Sequence, residues 1–286
     1  MKNGIAEIDH LLTKVDQPDG AAAHLARLGF TVTPLSHIAP MGLCNRLVLF
    51  EPFTEGSANF IELMGITNSA LVPSGMADLL QGPQGIRSMV MATPDAHAAR
   101  AELVANGYPF GEVHHIAREW VLPGQRLKVE FDVLLPVPAP FAFNLCRYFS
   151  RQHYIRPEWT QHANGIVNLE AVYCIADEPA QALRFYEALF GVEAQGSDAQ
   201  GWHVSPGQVQ LTVFSPKMWE QKFGIPLKAG FAGYRLRSKN LAATGEFMRL
   251  ADVEMRGKHI GYANGAPQGD IWLPPSSMFG NFVHIC

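Results

Sequence analysis

The chain has 286 residues, of which 48% are hydrophobic and 17% are charged, with a formal net charge of −4. This length allows about two domains with a sizeable core. The charge balance excludes nucleic acid and anionic membrane surfaces as favoured partners, and no apolar run approaches the length of a membrane span. Four scattered cysteines without Cys-x-x-Cys spacing argue against a disulfide framework or a structural zinc site. Residues 1–4 lead directly into a strand without an apolar leader, so we expect a cytoplasmic protein.

The first 66 residues predict a βαβββ unit. Residues 7–15 form an apolar strand pattern around a single histidine, His10, and residues 59–64 form another around a single glutamate, Glu62. Between them, a Pro-Asp-Gly turn starts a helical pattern that ends at Gly29. Further strands are predicted over residues 30–33 and 45–50.

The same order of elements is predicted three more times along the chain. The second unit has strands at 86–91, 112–121, 126–135 and 141–148, with a helix between Pro94-Asp95 and Asn106-Gly107. The third has strands at 167–173, 202–204 and 209–214, with a helix from Asp177 to Gly191. The fourth has strands at 231–236, 271–273 and 281–286, with a helix over 241–250. Connections are predicted over residues 67–85 and 149–166. The sequence therefore predicts an α+β fold of four βαβββ modules.

His10 and Glu62 are the first candidate site. A histidine and a glutamate in apolar strands are expensive to bury unless something binds them, so we expect both to face one cleft. Two other interpretations stay open. His10 can be a core histidine hydrogen-bonded to a backbone carbonyl, or the pair can bond to each other in a metal-free cleft.

The opening stretch, residues 8–15 with the following Pro-Asp turn and residues 24–30, resembles glyoxalase-like members of the vicinal oxygen chelate superfamily. Residues 42–47, 60–63 and 162–165 resemble the same family. The resemblance implies that modules pair into two half-open barrel domains, over residues 1–150 and 160–286. It also implies a divalent metal on the inner face of a barrel, held by the first and last strands of each module.

By that resemblance, His10 and Glu62 are metal ligands, and Ser88 and Asn144 stand at the matching positions of the second module. This departs from the four-ligand pattern of the lactoylglutathione lyases. Imidazole and carboxylate ligands suit Zn, Mn, Fe or Ni, and a site without metal also stays open. The nearest candidates for a third ligand are His37, His114, His115 and His153.

Other residues are candidates for contacts with a substrate. Arg46, next to Asn45, can present its guanidinium to a carboxylate or carbonyl, although a turn and an exposed strand start explain the pair equally well. His162 lies in a stretch that resembles a family signature, or else in a plain turn. His37 and Asn144 complete the predicted substrate contacts.

Three functions follow as hypotheses, and the sequence leaves open whether the chain is an enzyme. The first is a divalent-metal-dependent isomerase or lyase for a small oxygen-rich or aromatic metabolite, with Glu62 moving a proton. The alternative is a metal-free binding or resistance-type protein whose cleft is lined by Trp120, Phe143 and Tyr148. The third is an extradiol-type dioxygenase, which would need ligands from Glu170, Gly233 or Tyr234, and His284. The expected partner is a small molecule, and a homodimer is left open.

Overall fold

The computed structural model describes residues 1–251, 261–263, 266–268 and 270–286. Eight strands of the first half form one sheet in the order β2-β3-β4-β1-β5-β8-β7-β6. Their bounds are β1 Glu7–Lys14, β2 Ser36–Ile38, β3 Leu43–Leu49, β4 Phe60–Ile66, β5 Gly85–Ala92, β6 His114–Leu122, β7 Gln125–Val137 and β8 Phe143–Tyr148. β1 pairs with β4 in parallel and with β5 in antiparallel orientation, so the first two predicted modules join edge to edge through their first strands.

This sheet curls until its two edge strands approach each other. Arg118 Nη1 on β6 donates a hydrogen bond to Ser36 Oγ on β2. Two residues further along β6, the Trp120 indole N–H donates to the carbonyl of Pro34, just before β2, at 3.4 Å. These contacts link the two edge strands, β2 and β6, along the seam of a barrel. The sheet is therefore nearly closed, and its concave face is enclosed.

The second half repeats the arrangement with seven strands in the order β10-β11-β12-β9-β13-β17-β16. The strands are β9 Ile166–Ile175, β10 Gln195–Ser197, β11 Gly201–Val204, β12 Gln210–Phe214, β13 Gly230–Ser238, β16 Ile271–Leu273 and β17 Phe282–Ile285. β14 Gly261–Ala263 and β15 Ala266–Gln268 form a separate hairpin. The two paired sheets confirm the α+β fold class, while the proposed domain limits of 1–150 and 160–286 stay a prediction.

The described residues also form helices. They are α1 Pro18–Arg27, α2 Ser74–Leu80, α3 Ala96–Ala105, α4 Pro157–Thr160, α5 Pro179–Phe190, α6 Pro216–Phe223 and α7 Leu241–Leu250, with short 3₁₀ turns at Ala39–Met41, Ser69–Leu71, Arg151–His153 and Pro275–Ser277. Of these, α1, α3 and α5 pack on the core shared by the two sheets. Local chemistry sets their ends. The Asp95 carboxylate accepts hydrogen bonds from the free N–H groups of His97 and Ala98, and α5 ends at Gly191 in the left-handed conformation. Within the described residues, no helix is long and apolar enough to span a membrane.

The two halves share one hydrophobic core, which contains residues of both sheets and of α1, α3 and α5. Polar contacts fix the junction. The Asn59 side chain exchanges two hydrogen bonds with the backbone of Leu169, at 3.0 and 2.8 Å. The buried Glu7 carboxylate accepts from the backbone N–H groups of Gln208 and Val209 at 2.7 and 2.9 Å. Burial raises the pKa of Glu7, and these hydrogen bonds oppose that shift.

One predicted strand is absent, and the helices α2 and α6 were missed. Residues 30–33 form no strand, because Phe30 and Thr31 turn toward the linker around Gln161 and His162 instead. The connection over residues 67–85 contains α2, whose Met76 and Leu80 are buried against the barrel. The helix α6 was not predicted, although Ser215, Pro216 and Gly224 are the cap, first-turn and end signals of a helix.

Candidate functional site

His10 and Glu62 lie on the neighbouring strands β1 and β4, and both side chains reach the concave face of the first barrel. The backbone register pairs His10 with Phe60 and Leu12 with Glu62. Both side chains are buried, and His10 Nε2 lies 3.7 Å from Glu62 Oε2. This distance exceeds hydrogen-bonding range, so both atoms keep unused capacity to accept or hold a proton. The His10 ring stacks on Phe60 with centroids 4.0 Å apart, which fixes its plane.

Asp9 orients His10, although strand alternation predicts that neighbouring residues point to opposite faces. An irregularity in the β1–β5 pairing between Ile8 and His10 leaves Asp9 without a strand partner and allows its side chain to turn. Asp9 Oδ1 lies 2.7 Å from His10 Nδ1. The same carboxylate accepts from the Tyr148 hydroxyl and from the Ala58 N–H, each at 2.6 Å. With its carboxylate oxygens acting as acceptors, Asp9 requires a proton on Nδ1 and directs Nε2 toward Glu62.

Tyr148 is held in its neutral form at this position. Burial and the neighbouring Asp9 carboxylate raise the pKa of the Tyr148 phenol well above its usual value. Burial likewise raises the pKa of the Cys146 thiol, which lies on the same strand. Both groups therefore stay protonated near neutral pH, so Tyr148 acts as a donor to Asp9 and Cys146 is a poor nucleophile.

Two amides complete the polar part of the site. Asn45 Nδ2 on β3 donates to Glu62 Oε1 at 2.6 Å, which leaves Glu62 Oε2 as the oxygen nearer to His10. Ser88 Oγ on β5 donates to Asn144 Oδ1 on β8 at 2.7 Å. That bond uses the amide oxygen of Asn144, so the Nδ2 hydrogens are the group that Asn144 can offer to a ligand.

These polar groups lie in a cavity of about 80 Å³ that opens to solvent on one side. Alternate residues of the strands line it, as expected for one face of a pleated sheet. Most of the wall is apolar, from Leu12, Ile38, Met41, Leu43, Leu47, Phe60, Met64, Met76, Val90, Phe131, Val133 and Leu135. Its polar lining is confined to His10, Asn45, Glu62, Arg118, Asn144, Cys146, Tyr148 and Tyr154. The cavity therefore suits a largely apolar molecule with a few oxygen atoms.

The arginine of the cavity is Arg118, not the predicted Arg46. Asn45 and Arg46 are consecutive on β3 and must point to opposite faces. Arg46 accordingly lies on the convex side, where it bonds Asp19 at 2.7 Å and the Thr33 carbonyl at 2.9 Å. Arg118 comes from β6, where it lies on the same face as the buried residues Ile116, Trp120 and Leu122 and alternates with exposed residues. The sequence shows this alternation. It does not show that the sheet curls toward this face, which is what places Arg118 in the cavity.

His162 and His37 lie outside the cavity. His162 accepts from the Thr31 N–H and donates to the Leu49 carbonyl, both at 3.0 Å, so it joins the linker to the first barrel. Burial lowers the pKa of His162 to about 4, and the imidazole is neutral at pH 7. His37 is exposed on β2. Neither residue belongs to the set that the structure brings together.

The predicted aromatic lining is reproduced only at Tyr148. Phe143 alternates onto the other face of β8 and lies in the shared core. Trp120 is buried in a separate cluster with Trp159 and Tyr154 at one end of the barrel. Phe60, Phe131 and Tyr154 supply the aromatic surface that these residues were expected to give.

A family model described as the glyoxalase-like domain matches residues 8–190. This range contains nearly all of the first barrel and extends through α5. It covers well over half of the chain. The chain belongs to the glyoxalase-like domain family. As such it is a member of the vicinal oxygen chelate superfamily, in agreement with the resemblance of residues 8–15 and 60–63. A search of curated proteins gives no match.

Solved structures share the fold of this glyoxalase-like protein at low identity. A hypothetical protein from Staphylococcus aureus superposes with a TM-score of 0.63 at 10% identity, covering 97% of this chain and 98% of the other. A fusion of a xylose isomerase-like TIM barrel and 4-hydroxyphenylpyruvate dioxygenase gives 0.57 at 12% identity, over 98% of this chain and 48% of the other. A methylmalonyl-CoA epimerase in complex with methylmalonyl-CoA gives only 0.39 at 16% identity, over 51% and 96%. The first two likenesses show the fold alone, and nothing is drawn from the third.

The donor set of this glyoxalase-like barrel does not fit a firmly held divalent metal. Catalytic metal sites commonly supply three protein ligands, whereas here His10 and Glu62 are two. Asn144 Oδ1 is engaged by Ser88, and none of the predicted third ligands lines the cavity: His37, His114, His115 and His153. In the part of the chain that the structure describes, no three His, Cys, Asp or Glu side chains lie close enough to hold a metal. The metal stays a prediction that the family resemblance supports and the donor set does not.

The second barrel is filled where the first is hollow. Trp219 and Phe223 of α6 pack against Tyr173, Phe214 and Phe282 on its sheet. At the dioxygenase positions, Glu170 pairs with Arg235 and Arg237, and the two nitrogens of His284 contact Tyr173 and Asp270. Gly233 packs so tightly against the Phe282 backbone that no side chain fits there. These residues are used in the packing of the second half, so the candidate site lies in the first barrel.

Proposed function

We propose that this protein is an isomerase or lyase that moves a proton on a small, largely apolar carbonyl compound bound in the first barrel. The supporting observation is the pair of facing atoms His10 Nε2 and Glu62 Oε2, which lie 3.7 Å apart in the cavity without a direct hydrogen bond. Each side chain is held in place by a hydrogen bond to a second side chain, His10 by Asp9 and Glu62 by Asn45. Supported groups of this kind are typical of general acid–base catalysis.

The proposed reaction begins with the removal of a proton from the carbon next to the carbonyl. Glu62 Oε2 accepts that proton, and the electron pair of the C–H bond forms a C=C bond. The carbonyl oxygen gains the charge, and the Asn144 amide hydrogens stabilise the resulting enolate. If the His10 ring carries a proton on Nε2 as well as on Nδ1, transfer of the Nε2 proton to this oxygen gives the enol. Return of a proton to the same carbon from the opposite face completes an epimerisation. For a substrate with a hydroxyl on that carbon, return of the proton to the former carbonyl carbon with loss of the hydroxyl proton completes an isomerisation. Asp9 holds the His10 ring throughout.

The apolar wall of the cavity determines the chemical character of the rest of the substrate. Leu12, Leu43, Met64 and Val90 lie around the polar pair and exclude water from it. Water exclusion strengthens the interactions of the reacting groups, and the methionines allow the wall to adapt. The fitting substrate is therefore a molecule with a branched or aromatic body and a carbonyl at one end.

Deuterium exchange tests this proposal. The protein is incubated in D₂O with 4-methylpentan-2-one and, separately, with 4-methyl-2-oxopentanoate, and the loss of the C3 proton signal is followed by NMR. We expect exchange above the buffer rate with at least one compound, and a loss of about 10²- to 10⁴-fold in Glu62→Gln, as for removal of a general base. Glu55→Gln, at an exposed loop position, is the matched control and should keep the rate. Wild-type protein that gives only the buffer rate with both compounds, with and without added Zn²⁺ or Mn²⁺, overturns the proposal.

The same assay separates a metal-dependent route from one that uses the protein groups alone. It is run after treatment with a chelator and again with Zn²⁺ or Mn²⁺ added. An unchanged rate supports the residue-only route. A rise of more than about tenfold on adding metal, equivalent to over 1.4 kcal/mol, supports the metal that the family resemblance implies.

A second candidate function is the storage or sequestration of an apolar ligand without chemistry. The stacking of His10 on Phe60 and the apolar wall favour it, because the polar groups then serve only to orient the ligand. Stoichiometric retention of a small molecule through purification, together with no deuterium exchange, is the result that distinguishes it.

A further inference from the structure

Arg118 is the one cationic side chain that lines the cavity. It is half-buried on β6, and its Nη1 donates to Ser36 Oγ across the seam of the barrel. Its Nε is buried and has no hydrogen-bond partner among the described residues. A buried N–H without an acceptor is unusual and calls for an explanation.

Several arginines among the described residues form an ion pair with a nearby acid, and Arg118 does not. Ion pairs join Arg46 to Asp19, Arg100 to Glu112, Arg126 to Glu119, Arg156 to Glu158, and both Arg235 and Arg237 to Glu170. Within the described ranges Arg118 forms no such pair, and the Glu62 carboxylate is engaged with Asn45 instead. Arg118 is therefore a positive charge in an apolar wall without a protein counterion.

We infer that Arg118 determines the specificity of the cavity by binding a carboxylate on an otherwise apolar ligand. A planar guanidinium offers paired N–H groups that match the two oxygens of a carboxylate, and burial strengthens the pair. With its carboxylate at Arg118, a ligand leaves its remaining carbons to the apolar wall and to Glu62 and His10. This inference rests on the proposed function in using the same cavity, and it narrows the substrate class to monocarboxylates such as 2-oxo acids.

A competing role for Arg118 is purely structural, since its bond to Ser36 holds the barrel edges together. The two roles separate through Ser36, because Ser36→Ala removes the seam bond and keeps the guanidinium. Arg118→Met removes both. Arg118→Lys keeps the charge without the planar fork, and it serves if the Met variant does not fold.

The test measures binding of two unreactive isosteres by calorimetry, 4-methylpentanoate and the neutral 4-methylpentanamide. Wild-type protein should bind the carboxylate at least about tenfold tighter, since one hydrogen bond to a charged group contributes that much. Arg118→Met should abolish the preference, Arg118→Lys should weaken it, and Ser36→Ala should keep it. Glu62→Gln should also keep it, which separates failure of this inference from failure of the proton-transfer proposal.

The inference is overturned by equal binding of acid and amide by the wild type, by a preference that survives in Arg118→Met, or by no binding of the acid at millimolar concentration. Loss of the preference in Ser36→Ala with a folded barrel also contradicts it, because the seam bond would then be what matters.

Discussion

Asp9 and His10 are consecutive residues of one strand whose side chains are bonded to each other, with Asp9 Oδ1 2.7 Å from His10 Nδ1. Regular strand geometry separates such neighbours onto opposite faces. The bulge at Asp9 makes the contact possible, and the Tyr148 and Ala58 donors hold the carboxylate in place.

Replacing Asp9 by Asn should therefore disable the site without removing its shape. An amide that accepts from His10 Nδ1 turns its own N–H₂ group toward the Ala58 N–H, and two donors then face each other in a buried position. We expect a loss of about 1–3 kcal/mol in the free energy of unfolding and a loss of deuterium exchange. Urea unfolding and the NMR exchange assay measure the two effects. Wild-type exchange in a stably folded Asp9→Asn protein would contradict the role of Asp9.

Asn45→Asp should make stability depend on pH. The new carboxylate would face Glu62 at the position of the present 2.6 Å hydrogen bond, and two such groups cannot both ionise. The pKa of one of them must rise above its unfolded value of about 4. Its protonated form stabilises the native state below that value, and the contribution is lost as pH rises toward 7.

The measurement for Asn45→Asp is the urea midpoint at pH 5 and pH 8, compared with the wild type. Asn45→Leu is the matched control, since it removes the hydrogen bond without adding a charge and should show a smaller difference between the two pH values than Asn45→Asp. Equal midpoint changes for Asn45→Asp at pH 5 and pH 8 would show that the two side chains do not face each other as described.

His162 should contribute to acid sensitivity. Its pKa is lowered to about 4 in the folded protein, against about 6.5 in an unfolded chain. Between these values the unfolded state binds a proton that the native state does not, so stability rises with pH across that window and is lost as pH falls from 6.5 to 4. The full shift corresponds to about 3 kcal/mol.

Replacing His162 by Gln removes the titrating group while offering an acceptor for Thr31 and a donor for Leu49. The expected result is a flatter dependence of unfolding free energy on pH between 4 and 6.5. His97→Gln, at an exposed position of α3, should leave the wild-type slope. The same slope in wild type and His162→Gln would refute the assignment.

Trp219→Ala should open the second barrel. Trp219 is fully buried between Tyr173, Phe214, Phe223 and Phe282. Its removal should cost about 3–5 kcal/mol and leave an apolar cavity that binds benzene, seen as a rise in melting temperature on adding benzene. Trp202→Ala, at a half-buried position on β11, should cost less and show no benzene effect. Wild-type stability of Trp219→Ala would mean that α6 does not fill the barrel.

The sequence was sufficient for the architecture because its signals are local. Alternating apolar runs, Pro-Asp helix starts and glycine ends predicted the helix over 241–250 and the strand over 271–273 with the observed bounds. It failed at residues 30–33 and at α6, where contacts distant in sequence decide the conformation. The Phe30–Thr31 segment is fixed by the linker 130 residues away, and α6 by the hollow of the second sheet.

For the site, the sequence predicted which side chains are costly to bury but not which face they take. The fold brings together in one cavity His10, Glu62, Asn45 and Asn144. Their predicted roles still await tests. Arg46 could have been set aside from alternation with Asn45. Asp9 could not have been chosen, because a bulge that reverses alternation depends on strand pairing, and Arg118 depends on the closing of the barrel. Metal, dimer and cytoplasmic location stay predictions.

The most direct test of the central claim is the protonation of the His10 ring, measured by ¹⁵N NMR of histidine-labelled protein with His10→Gln to assign the signals. If Asp9 directs His10 Nε2 toward Glu62, the neutral His10 ring carries its proton on Nδ1. In Asp9→Asn this fixed preference should disappear. A neutral His10 with its proton on Nε2 and a bare Nδ1 in the wild type would contradict the account.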